Sequence, residues 1–125
     1  MFGWFKKKTR PTSGPDFTDI DSLAKAEELY REGKLEKLFL MPLEFGGEDN
    51  PLNTLYVPVG VAGIKNQIDV DTIGALIESG TVTQYQPSPQ YQGKSFIPIA
   101  IEIVASAPGS FSTTINIWGD ALSRD

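Results

Sequence analysis

Few residue types that do chemistry are present in this chain. Among its 125 residues there is no histidine and no cysteine. That removes thiol nucleophiles, imidazole acids and bases, the Ser-His-Asp arrangement and thiolate or imidazole metal centres. Carboxylates remain, and three of them, Glu44, Glu48 and Asp49, surround a glycine pair in Glu44-Phe-Gly-Gly-Glu-Asp-Asn. Oxygen ligands at such short spacing are the type that calcium or magnesium takes. The same acids would be the working groups of a carboxylate-based enzyme or a small-ligand site. The spacing does not favour either chemistry. A calcium loop of the EF-hand type needs oxygen donors at its first, third and fifth positions and a glutamate at the twelfth, and a phosphate loop needs a glycine-lysine-serine signature. Neither is present, so no metal, cofactor or catalytic residue is assigned and no enzymatic activity is expected. The loop is read as an acidic surface for a protein partner.

A second grouping is Gln84-Tyr-Gln-Pro-Ser-Pro-Gln-Tyr-Gln-Gly-Lys-Ser95. Tyr85 and Tyr91 stand among uncharged hydrogen-bonding side chains, a mixture suited to recognition, because tyrosine offers contact area with little rotamer entropy to lose. The intervening prolines limit the cost of ordering the segment. Tyr85 and Tyr91 therefore join Glu44, Glu48 and Asp49 as candidate partner-binding residues.

A third grouping opens the chain. Phe2, Trp4 and Phe5 precede Lys6, Lys7 and Lys8, an order suited to interfacial aromatics and anionic headgroups. These six residues are the candidate membrane contacts of a peripheral adaptor. The pattern lacks the order of a secretory signal, and no apolar run approaches the roughly 20 residues of a membrane-spanning helix, so a cytoplasmic protein is expected.

Charge separates this segment from the rest. Four of the eleven bases lie in the first fifteen residues without an acid, leaving seven bases against sixteen acids over residues 16–125, a net of -9. Such a body repels nucleic acid phosphates and attracts a basic protein. Residues 1–15, ending in a stretch rich in proline, read as a basic aromatic segment and linker, and residues 16–125 as one domain.

The elements that must position these residues follow from periodicity. Leu23, Ala26, Leu29 and Tyr30 fall at helical spacing after the capping candidates Asp19, Asp21 and Ser22, with Gly33 as the stop. Residues 34–43 and 55–59 read as strands. Ile64, Ile68, Ile73, Leu76 and Ile77 mark a second amphipathic helical region ending at Gly80, with Asp69 or Asp71 as the cap of a restarted helix. Residues 81–86 read as a strand, 87–93 as a turn-rich connection, and 95–105 and 111–118 as a hairpin about Pro108-Gly109. This order predicts an α+β domain with a mostly antiparallel sheet, two helical segments on one side and a C-terminal β-hairpin.

Several stretches, Ala26-Glu-Glu-Leu, Glu32-Gly-Lys-Leu, Met41-Pro-Leu-Glu-Phe-Gly-Gly, Asn53-Thr-Leu-Tyr-Val-Pro58 and Pro89-Gln-Tyr-Gln-Gly-Lys-Ser-Phe-Ile-Pro98, carry a resemblance. Together they resemble small stand-alone bacterial proteins of uncharacterised type, some of which are similar to immunity proteins of polymorphic toxin systems. The resemblance spans most of residues 22–118 and assigns no functional residue. It implies binding to, and neutralisation of, a cognate toxin domain, here one of basic character.

Overall fold

The computed structural model describes residues 15–123. Helix α1 spans Leu23–Arg31, with the Ser22 hydroxyl accepting the Lys25 amide at its start. Its end is a paired-bond cap: Gly33 N–H donates to Tyr30 O and Lys34 N–H to Leu29 O, with Gly33 at φ 80°. Only a residue without a Cβ takes that conformation cheaply. The same cap recurs at the end of the second helix, where Gly80 donates to Ile77 O and Thr81 to Leu76 O, so both predicted glycine stops are borne out.

Strands β1, Leu35–Phe39, and β2, Thr54–Pro58, pair antiparallel. Strands β3, Gln84–Gln90, β4, Ala100–Ser106, and β5, Ser110–Asn116, form a second antiparallel sheet in the order β3-β4-β5. The α+β class and the C-terminal hairpin are thus borne out, with the strands divided between two sheets. The hairpin turns through a cis Ala107–Pro108 peptide.

The second helix is continuous over residues 61–78 and not two capped pieces. It runs as α2, Val61–Asn66, then a π-helical segment, Gln67–Ile73, then α3, Gly74–Glu78. Asp69 lies inside it, its carbonyl accepting the Gly74 amide five residues on, and its side chain is buried. The predicted apolar face holds in part. Ile73 is buried and Ile68 and Leu76 pack against the core, whereas Ile64 and Ile77 are 51% and 40% exposed and Lys65 and Asp69, in line with Ile73, face the interior instead.

Glu36 of β1 starts this helix. Its carboxylate accepts the amides of Gly60 and Ala62, each at 2.9 Å. An acid at a helix N-terminus satisfies donors that have no partner within the helix and meets the positive end of its dipole. Glu36→Ala is therefore expected to cost about 1 kcal/mol in urea unfolding, and Glu36→Gln less, because it keeps the acceptor.

Two strand boundaries differ from expectation. β3 runs through Pro87 and Pro89, where a turn is predicted. It is an edge strand, and prolines spaced by two fall on the same side of it, so neither need interrupt the ladder to β4. Conversely, residues 95–99 are not laddered, although all but Phe96 are buried. The Ser95 hydroxyl accepts the Ile97 amide, Phe96 N–H reaches Ile20 O, and Pro98 has no amide to give. Ile97, Ile99, Ile101, Ile103, Ile115, Ile117 and Trp118 then join Ala26, Leu35, Leu38, Val57 and Ile73 in one apolar core.

Candidate functional site

The acidic loop is a braced corner between β1 and β2. A short 3-10 turn, Leu43–Phe45, follows Pro42, and a second, Pro51–Asn53, leads into β2. Asn53 ties the two together: it accepts the Met41 amide at 2.8 Å and donates to Met41 O and Glu48 O, each at 2.9 Å. Asn50 accepts the Leu52 amide at 3.0 Å, and the Thr54 hydroxyl donates to Asn50 O at 2.7 Å. Gly47 packs so closely that a Cβ there would overlap the Met41 carbonyl. On this frame Glu44, Glu48 and Asp49 are exposed. With them stand Leu43, 51% exposed, and Leu52, 96% exposed.

The other candidates separate. Glu44 and Tyr85 line one cavity of about 390 Å³, with Phe45 edge-on to Tyr85 at 5.1 Å between centroids. Tyr91 lies past the other end of β3, about 20 Å away at the usual strand rise, and does not line the cavity that holds Tyr85. Asp49 faces a different recess, beside α1. Phe2, Trp4, Phe5, Lys6, Lys7 and Lys8 lie outside the described residues. Among the described residues, no group of three or more acids is placed to hold a metal ion, and no helix is long and apolar enough to cross a membrane.

Tyr85 is more than a surface aromatic, because its hydroxyl enters a buried polar junction that the sequence reading missed. Lys65 Nζ donates to the Asp69 carboxylate, to Tyr85 Oη at 2.8 Å and to Leu40 O at 2.9 Å. Tyr85 Oη donates to the other Asp69 oxygen at 2.7 Å. The lysine has three donors and all three are used. The side chains of Lys65 and Asp69 are only 3% and 2% exposed. This closed set ties the helix to β3 and to the chain just after β1. A Lys–Asp pair four residues apart in a helix ordinarily reads as solvated. Its alignment with Ile73 was the available signal.

Burial pulls the Lys65 ammonium below the usual lysine range, against the Asp69 hydrogen bond and charge that favour the protonated form. Burial, the Asp69 hydrogen bond and the Asp69 charge all push the Tyr85 hydroxyl well above the usual tyrosine range. The native state therefore keeps the Tyr85 proton after the unfolded chain has released it near pH 10. The stability contribution of this hydroxyl is present below about pH 10 and is lost as pH rises beyond it, by up to about 1.4 kcal/mol per pH unit. Lys65, with its value lowered, acts in the opposite sense only below about pH 10.5. Urea unfolding across pH 9–11.5 should show that alkaline decline in the parent, and Tyr85→Phe should flatten it. An equal decline in both would show that Tyr85 is not buried in solution.

The arrangement offers two distinct things: an interior polar set whose groups satisfy one another, and an exposed acidic corner with apolar tips. The first suits scaffolding and the second recognition. No family model matches the chain, and no curated protein or solved structure is similar to it.

Proposed function

We propose that this chain is a non-enzymatic, cytoplasmic protein-binding domain whose partner is basic, an inhibitor of the immunity type directed at a toxin domain. The observation that carries the reading is the braced corner. Leu52 stands 96% exposed on a loop whose backbone is fixed by Asn50, Asn53 and Gly47. A rigid loop that holds an apolar side chain out in water has already met the ordering cost that binding would otherwise impose. Glu44 and Glu48 on the same loop supply charge that draws a basic surface and speeds encounter, while the burial of Leu52 and Leu43 slows dissociation. The net charge of -9 over residues 16–125 works in the same direction at longer range. The buried Lys65, Asp69 and Tyr85 groups are engaged with one another and so favour a structural role for the titratable interior.

The test is capture of the partner from the native cell on immobilised chain, followed by kinetics on the isolated pair. Leu52→Asp should raise the dissociation rate about tenfold or more. Glu44→Gln with Glu48→Gln should lower the association rate mainly at low salt. A folded Leu52→Asp variant that binds with unchanged kinetics would sink the reading, as would a captured partner without a basic surface.

A further inference from the structure

We propose that the recess between α1 and the β1–β2 hairpin is a subsite for a single arginine or lysine side chain of the basic partner, a refinement that rests on the binding reading above. The recess holds about 280 Å³, below the span of typical small-molecule pockets and suited to one side chain. Leu23, Glu27, Lys37, Asp49, Thr54 and Tyr56 line it.

Three observations fix the chemistry of the occupant. First, two carboxylates reach the recess from elements distant in sequence, Glu27 from α1 and Asp49 from the braced corner. The ion pairs among the described residues are Lys25–Asp21, Lys34–Glu32 and Lys65–Asp69, so neither carboxylate has an ionic partner there. Second, an aromatic ring, Tyr56, lines the recess, and beside it the chain already sets a cation on a ring face. Tyr30 and Tyr56 form a tilted ring pair at 5.6 Å, and the Lys37 ammonium lies over the Tyr30 ring at 5.1 Å. Lys37 is the direct cross-strand neighbour of Tyr56, so its position follows from the register. The Tyr56 ring in the lining is a surface of the same kind for an incoming cation, and a guanidinium suits it best, since it also stacks. Third, Leu23 is 50% exposed at the rim, an apolar wall for the methylene stem of a long basic side chain.

Lys37 thus has an opposing role. It is the one base among two acids in the lining, and it repels an incoming cation until it swings toward solvent. Removal of acid and removal of base should then change affinity in opposite directions, a pattern that loss of packing alone does not produce.

The probe is the blocked tripeptide Gly-Arg-Gly, followed by amide NMR shifts on the full chain at low salt, with the citrulline peptide as its uncharged counterpart. The arginine peptide should saturably shift amides near Glu27, Asp49 and Tyr56, and the citrulline peptide should not. Glu27→Gln with Asp49→Asn should weaken the arginine peptide about fivefold, and Lys37→Met should strengthen it about twofold. Equal shifts from both peptides, shifts centred elsewhere, or the same direction of change in both variants would overturn the subsite. The captured partner separates this from the wider reading. If Leu52→Asp weakens it while the Glu27→Gln, Asp49→Asn variant binds as the parent does, the subsite fails and the binding role stands.

Discussion

Lys65→Met should cost about 3–5 kcal/mol in urea unfolding, a large share of the 5–15 kcal/mol typical of a small domain. The loss of lysine packing is not the main reason, since methionine fills much of the same volume. Asp69, with its side chain 2% exposed, would keep a carboxylate in the interior with only the Tyr85 hydroxyl to meet it, and Leu40 O would lose its donor. A buried charge without its counterion is far costlier than the intact pair is beneficial. That asymmetry gives the control. Replacing the whole set, Lys65→Met with Asp69→Leu and Tyr85→Phe, removes the stranded charge and should recover most of the loss, leaving about 1–3 kcal/mol for the unpaired Leu40 carbonyl. If the single variant costs under about 1 kcal/mol, the junction is hydrated in solution and has no scaffolding role.

The junction also shows where a reading from sequence stops. Gly33 and Gly80 were legible because their role is local: a helix end needs a left-handed residue, and glycine supplies it. The β4–β5 hairpin was legible for the same reason, two β-rich runs about Pro108-Gly109. Local rules failed where a distant element decides. Ile64 and Lys65 are adjacent, and hydropathy assigns the isoleucine to the core. The structure buries Lys65 because Asp69, Tyr85 and Leu40 O together satisfy its charge, and only one of those three is near it in sequence. Pro87 and Pro89 likewise signal a turn until β3 is known to be an edge. Of the site, the acidic character of the corner was legible. Its rigidity was not, because it comes from Asn53 bonding across to Met41 and Glu48, contacts that no spacing rule anticipates.

Trp118→Ala should cost about as much, roughly 3–5 kcal/mol, by a different route. Trp118 follows β5, is 1% exposed, and meets Phe17 edge-on at 5.8 Å between centroids. Its truncation opens a cavity that cannot collapse easily, because the neighbouring backbone is already pinned: the Ile117 and Trp118 amides both donate to Ile99 O, at 2.7 and 3.2 Å. The indole also does polar work, donating from Nε1 to Ile97 O at 2.9 Å within the irregular segment that precedes β4. Trp118→Phe separates the two contributions. It keeps most of the apolar contact with Phe17 but leaves the Ile97 carbonyl without that donor, a loss of about 1–3 kcal/mol. Urea melts followed by far-ultraviolet circular dichroism measure both variants without depending on the fluorescence of the replaced residue. Phenylalanine should fall between parent and alanine. If it proves as costly as alanine, the hydrogen bond to Ile97, and not the buried ring, is what holds the segment ahead of β4 against the core.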